Sequence, residues 1–469
     1  MDTEPSSFLA SLRFAPDEQP IYRQLVDAIA ERIANGELLA GERLPPQREI
    51  ARALNINLTT VTRALSVLQQ RGLVEGRPGR GTVVAAKRGG EEQSFRSAPT
   101  DESGLIDLSV NRPATSAYPE ALAKILPRLP RDKRFPTLQD YQTPEGPLWA
   151  RSAAAAWLAP IAGDGDPGRV LLTDGAQHAL ACVLAAVTQP GDLMLADAIT
   201  YQGMKALCQS RGVELRGLPM DRQGMLPDAF EHACAHGRPR AVFLVPSLHN
   251  PTTVTLPLER REAIIKTARQ HNVLIIEDDV YGPLLDERLP SFATLEPELT
   301  IHVSGFSKCV APGLRMGFLA SPRALMMKIA AALRTDCWCI SPLSALVGTL
   351  LLEEGLIDDL ITQQKDELRL RQELVRTVLG RFDVQTHDTS THAWLHLPEP
   401  WRGPLFVRVS HREGVGVLGG DAFAVGRQAV PDAVRINVAA ARSREDLRRG
   451  LEILAGLMGS GQLHLNDVA

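Results

Sequence analysis

A chain of 469 residues exceeds what one compact core usually holds, so two or three domains are expected. Hydrophobic residues make up 44% and charged residues 23%; with no run of about eighteen apolar residues and no basic start followed by an apolar stretch, this composition points to a soluble, cytoplasmic protein without a membrane partner. The formal charge of −4 conceals an asymmetry: between Pro20 and Arg88 eleven Lys or Arg stand against six acids, so a basic module precedes an acidic remainder and a polyanion partner is expected at one end only.

Within that module Ile21, Leu25, Ile29 and Ile33 repeat at helical spacing and predict a helix ending near Asn35-Gly36. Pro45-Pro46 opens a short second helix through Arg48, Ile50 and Leu54. Asn57 is placed to cap a third, whose buried face is Val61, Leu65 and Leu68. That face leaves Thr59, Thr60, Thr62, Arg63 and Ser66 outward, a row of hydroxyls and one guanidinium suited to phosphates and base edges in a major groove. Leu73-Val74-Glu75 and Thr82-Val83-Val84 read as two strands joined by a turn, Gly76 to Gly81, that carries Arg77 and Arg80. In order and spacing, QPIYRQL, GERLPPQREIARAL and NLTTVTRALSVLQQRGLVEGRPGRGTVV resemble the winged helix-turn-helix of the GntR family. The resemblance sets a DNA-binding domain at 14–86, with Arg48, Thr59, Thr60, Arg63, Arg77 and Arg80 as its contacts to double-stranded operator DNA.

Residues 87–104 are polar, rich in Gly and Ser and without periodicity, and read as a linker. Extended, it reaches roughly 60 Å; as a coil, roughly 25 Å. Beyond Pro167, short apolar runs alternate with helical stretches: RVLLT, DLMLAD, AVFLVP, NVLIIED and TIHVS, with helices from Gly175, from Tyr201 and near Leu258. Such alternation predicts an α/β domain with a largely parallel, doubly wound sheet, whose ligands bind beyond the carboxyl ends of its strands. Polar residues gather at those ends: Thr173 to Gln177, His249-Asn250-Pro251, Asp278 with Tyr281, and Ser304 to Lys308.

These residue types suit one chemistry. A lysine can hold an aldehyde as a Schiff base, and a carboxylate facing a pyridine nitrogen keeps it protonated. A phenol and an amide can hold a ring hydroxyl, and amides at a helix N-terminus with a nearby arginine can bind a phosphate. Across 105–460 the chain resembles the fold-type I aminotransferases, which use pyridoxal 5'-phosphate and carry a smaller C-terminal α+β subdomain. By that resemblance Lys308 in GFSKCVAPGLRMG is the aldimine lysine, beside Ser307, and Arg315 serves the phosphate with Gly175, Ala176 and Gln177. Asp278 in IIEDDVYG faces the ring nitrogen with Tyr281 three residues later, and Asp279 is the alternative on the strand's other face. Asn250 and Tyr201 complete the cofactor site. Arg435 holds an effector carboxylate, and Tyr141 reaches a neighbouring subunit's phosphate. His392 and His396 lie along a predicted strand and read as core or surface histidines, so no metal is expected, and the six cysteines read as small buried thiols.

The joined architecture resembles the MocR subfamily of GntR regulators. That resemblance implies a head-to-tail homodimer that binds DNA and senses pyridoxal phosphate or a small amino compound. An aminotransferase with a tethered DNA module is the alternative. The attached winged helix favours the regulator, because metabolism alone needs no such module; transamination would then be residual.

Overall fold

The computed structural model describes residues 20–34, 38, 42–70, 73–77, 81–84, 104–114, 117–163, 165–426 and 430–459. The linker expected at 87–104, except Gly104, and the wing residue Arg80 lie outside the described residues. The chain forms two compact units, within Met1–Gln93 and within Ser94–Ala469. No described helix is long and apolar enough to cross a membrane.

The first unit contains α1 (Ile21–Ala34), α2 (Gln47–Leu54), α3 (Leu58–Gln70), β1 (Val74–Arg77) and β2 (Gly81–Val84). Leu25, Val26 and Ile29 of α1 pack with Ile50, Val61, Leu65 and Leu68 into one core, as the helical spacing requires. Ile21, at the first turn, is exposed instead. Asn57 caps α3, its Oδ1 accepting from Thr59 N at 2.9 Å. Asn55, in the left-handed region at φ 51, ends α2 and turns the chain toward α3. The wing differs from expectation. The ladder continues through Gly76↔Thr82 to Arg77↔Gly81, so only residues 78–80 connect the strands. Backbone pairing there outweighs the turn preference of Gly76.

The second unit is built on a seven-stranded sheet. Its order is Val170–Thr173, Gly317–Ala320, Thr300–Gly305, Leu274–Asp278, Ala241–Leu244, Leu193–Asp197 and Glu214–Leu218. All pairings are parallel except those of Gly317–Ala320, which runs against both neighbours. The apolar runs form the predicted strands and most are wholly buried, as a sheet covered on both faces demands. Gly317–Ala320 was not expected as a strand: four residues directly after a turn are too few to show a period. Its return direction brings Arg315, at φ 56 in the left-handed region, over the beginning of the helix Ala176–Val187. A smaller antiparallel sheet orders Val384–Gln385, His392–His396, Ala433–Asn437 and Leu418–Gly419, pairing His392 with Asn437 and Trp394 with Arg435.

Leu68 is fully buried in the N-terminal core. Leu68→Ala should destabilise that unit by about 2–5 kcal/mol. Calorimetry of the full chain should show an earlier transition for the N-terminal unit and an unchanged one for the larger unit.

Candidate ligand cleft and DNA-facing helix

Four loops leave the carboxyl edge of the large sheet, and each brings one part of a cleft. Asp278 ends its strand, buried, with only a long hydrogen bond of 3.4 Å from Val280 N to its Oδ1. Burial pushes its carboxyl up to about 7, with the neighbouring charge of Asp279 adding to this and the Lys308 ammonium opposing it. Desolvation, helped by the charges of Arg435 and Arg315, pulls the Lys308 amine down to about 8, with Asp278 opposing. A lysine so placed has a larger neutral, nucleophilic fraction near neutral pH than an ordinary lysine. Asp279 turns away from these groups, toward Ser247 and Arg288, so Asp278 is the carboxyl that shares the cleft with Lys308.

Around the amine lies a hydrogen-bonded set. Lys308 Nζ donates to Asn111 O at 2.7 Å, and Asn111 Nδ2 donates to the Tyr281 hydroxyl at 2.6 Å. Asn111 Oδ1 accepts from Asn437 at 2.8 Å and from Thr391 at 3.1 Å. Asn111 thus joins the lysine, the phenol and the smaller sheet. The edge of the Tyr281 ring meets His392, whose centroid is 5.5 Å away. His392 Nε2 lies 3.0 Å from the carbonyl of His249, and burial lowers its pKa to about 3, so the ring is neutral. It belongs to the cleft wall, a more specific place than core or surface.

Arg435 is buried, donating to Asn250 Oδ1 at 2.9 Å and to Ser109 O at 2.5 Å, with its plane 5.0 Å from the Phe423 ring. Its Nε has no partner, and no carboxylate pairs with it among the described residues. Desolvation draws it down to about 10, which leaves it cationic and available to an anion. At the opposite end, Gly175 caps the helix Ala176–Val187 at φ 82. A Cβ there would meet the Arg315 guanidinium at 2.9 Å, so both backbone and space require glycine. Arg315 donates to Asp174 O at 2.5 Å beside the first amides of that helix, Ala176 and Gln177, an arrangement that fits a phosphate. Tyr201 donates from its hydroxyl to Gln177 Oε1 at 2.9 Å. Ser307, half-buried, precedes the lysine. Tyr141 stands apart from this set, 87% exposed, its ring 5.4 Å from that of Trp338.

Sequence reasoning missed Asn111, Thr391, His392 and Asn437. Asn437 had a signal, since it lies two residues beyond Arg435 on the same face of one strand. Asn111 had none, because it reaches Lys308 across 197 positions. One expectation about other side chains changes. Cys337 is exposed and Cys339 half-buried, while the other four thiols are buried. Asp174, His178 and Cys337 bring ligand-type atoms within 4.8 Å of one another. Within this set Asp174 N donates to His178 Nδ1 at 3.1 Å, and His178 Nε2 lies 3.2 Å from Asp336 Oδ2.

In the N-terminal unit Arg48 and Thr59 are exposed and Thr60 half-buried. The Thr59 hydroxyl donates to Asn57 Oδ1 at 2.9 Å, and that of Thr62 meets Gln47 Oε1 at 2.8 Å. Arg63 lies over the Tyr22 ring at 4.2 Å, held by α1 instead of extending freely from α3. Arg77 closes β1. Exposed Arg43, absent from the expected contacts, bridges to Val83 and packs against Gly81 at the wing.

The buried Asp278 carboxyl generates a prediction for the cofactor-free protein. Its folded pKa of about 7 exceeds the unfolded value, so its contribution to stability is full below the unfolded pKa and is lost as pH rises through 7. Asp278→Asn should raise the melting temperature at pH 8 by about 2 °C or more and change it little at pH 4. Scanning calorimetry at both values checks the sign.

The family model for bacterial regulatory proteins of the gntR family matches residues 21–84, and that for aminotransferase class I and II matches residues 103–454. The HTH-type transcriptional regulator YdeF of Bacillus subtilis is 30% identical, over 94% of this chain and 95% of its own. The vitamin B6 salvage pathway transcriptional repressor PtsJ of Salmonella typhimurium is 27% identical, over 86% of this chain and 91% of its own. Among solved structures, the α-aminoadipate aminotransferase LysN of Thermus thermophilus, complexed with N-(5'-phosphopyridoxyl)-L-leucine, superposes with a TM-score of 0.70 at 25% identity. That match covers 77% of this chain and 94% of LysN. A GntR-type DNA-binding domain fused to an aminotransferase domain, with relatives of the same kind matching along nearly the whole length, places the chain in the MocR-like GntR family of transcriptional regulators.

Proposed function

We propose that the cleft around Lys308 holds pyridoxal 5'-phosphate, and that this regulator binds operator DNA according to whether the cleft holds the cofactor alone or with a small amino compound. One observation carries the reading: a half-buried lysine amine and a buried, poorly satisfied carboxyl share a cleft in an aminotransferase domain that is joined to a DNA-binding domain. When bound, the cofactor supplies an aldehyde that condenses with amines and a ring that withdraws electrons.

The residues divide the work. The amides of Gly175, Ala176 and Gln177, with Arg315 and Ser307, bind the phosphate. Tyr201 would lie against the ring. Asp278 would face the ring nitrogen, and a cationic nitrogen there would favour the ionised carboxyl. Tyr281 and Asn250 hold the ring oxygen, with Asn111 orienting the Tyr281 hydroxyl. Lys308 Nζ would hold the cofactor's aldehyde, and its amine would be the group placed to move a proton there. Arg435 takes the effector's carboxylate, a charged partner that its neutral acceptors Asn250 and Ser109 do not provide. The exposure of Tyr141 suits a role toward a second subunit, as a head-to-tail homodimer would need.

The cofactor-loaded protein should absorb in the visible, and Lys308→Ala should lose that band. Arg315→Ala should weaken pyridoxal phosphate by about tenfold or more and pyridoxal much less, since only a phosphate partner is removed. Electrophoretic retardation of operator DNA tests the regulatory claim. Cofactor, alone or with an amino compound, should change wild-type affinity and leave Lys308→Ala unmoved; a wild-type protein indifferent to both would contradict it.

DNA contacts make a separate prediction. Arg48→Ala should weaken operator binding and reduce its salt slope by about one. Thr60→Ala should alter sequence preference more than the slope. Fluorescence anisotropy across salt concentrations checks both.

A further inference from the structure

Behind the cleft, on the other side of the strand Leu274–Asp278, lies a cavity of about 220 Å³ lined by Asp279, Ser247, Arg261, Arg288, Ser291 and Thr294. Several waters would fit, since each occupies about 30 Å³ in the liquid. Its buried acid is Asp279, 4% exposed. Ser247 hydrogen-bonds this carboxyl, but Oδ1 has no partner. The carboxyl packs directly over Gly282, where a Cβ would fall 2.0 Å from Oδ2.

The cavity's cations do not answer that carboxyl. Buried Arg261 spends its fork on three neutral carbonyls, those of Leu256 at 2.9 Å, Pro290 at 3.0 Å and Pro246 at 3.2 Å. Arg288, exposed at the cavity's mouth, has no hydrogen bond or ion pair among the described residues, although its charge and that of Asp279 act on each other. A purely structural arrangement would close Asp279 onto one of these guanidinium groups. Here a buried acceptor and an unpaired cation face a shared space too large for one water.

We propose that this cavity is a second small-molecule site that takes a small zwitterion, its ammonium on Asp279 and its carboxylate on Arg288. The site is separate from the Lys308 cleft and needs no cofactor. It backs directly onto that cleft, because Asp278 and Asp279 are consecutive residues on opposite faces. The negative charge of Asp279 opposes ionisation of Asp278, so an ammonium on Asp279 relieves Asp278. Occupancy would therefore be felt at the carboxyl that faces the ring nitrogen; this coupling alone rests on the function proposed above.

Cofactor-free Lys308→Ala/Arg435→Ala protein, in which the first cleft can hold neither an aldehyde nor an effector carboxylate, provides the test. Calorimetric titration would use glycine and β-alanine as zwitterions, with propylamine and propionate as single-charge controls. At least one zwitterion should bind saturably, about tenfold or more tighter than either control. Adding Asp279→Asn should remove that advantage, and so should adding Arg288→Ala, a change at an exposed position that leaves the core intact. No saturable binding of either zwitterion, equal affinity for zwitterion and propionate, or binding unchanged by both substitutions would overturn the site. Because no cofactor enters this titration, its failure leaves the Lys308 cleft untouched, and failure of the cleft leaves this result standing.

Discussion

Burying Glu277, Asp278 and Asp279 side by side at the end of one strand is the constraint from which the site follows. A buried carboxylate without a partner costs several kcal/mol, and three in succession would not be tolerated unless each met a different answer. Alternation along the extended chain turns Asp278 away from Glu277 and Asp279, which share the other face and meet different partners there. Glu277 accepts from Phe292 N and Ala293 N at 2.9 and 3.1 Å and pairs with His302 at 2.9 Å, which holds that imidazole above its ordinary pKa. Asp278 looks into the Lys308 cleft and Asp279 into the cavity behind it. Only Glu277 is fully answered by the protein itself, and the other two are where small molecules are proposed to act.

The sheet order makes that strand end a meeting place. Leu274–Asp278 lies in the middle of the seven strands, flanked by Ala241–Leu244 and Thr300–Gly305, so the loops bearing Asn250 and Lys308 leave on either side of Asp278. The reversed strand Gly317–Ala320 returns the chain to Val170–Thr173 and fixes Arg315 against Gly175. The smaller sheet closes the cleft with Arg435 and Asn437, Thr391 standing just before its strand His392–His396, and Asn111 ties that sheet to Lys308 and Tyr281. Lys308 donates to a single neutral carbonyl, that of Asn111, so freeing its amine breaks no ion pair.

Much of this was legible along the chain because it is local. The apolar runs ending in polar clusters marked the strands and their ligand edge, and the three-residue spacing of Asp278 and Tyr281 marked one loop. The period of Val61, Leu65 and Leu68 separated the buried face of α3 from its hydroxyl-bearing face. What stayed hidden depends on contacts far apart in sequence. The strand Gly317–Ala320 gains its identity from two antiparallel neighbours, and Asn111 gains its role from four residues that no window contains, Tyr281, Lys308, Thr391 and Asn437. Arg63 was read correctly as outward, yet its stacking on Tyr22 required the packing of α1 against α3. The choice between Asp278 and Asp279 also needed three dimensions, since a run of adjacent acids does not say which face holds the lysine.

The central claim is that one lysine, among the few that the fold could offer, faces the buried carboxyl and binds the cofactor's aldehyde. Borohydride reduction of the cofactor-loaded protein, followed by peptide mapping, tests it most directly. The account predicts a pyridoxyl group on Lys308 and on no other lysine. A pyridoxyl group on a different lysine, or a protein that takes up no cofactor to reduce, would contradict it.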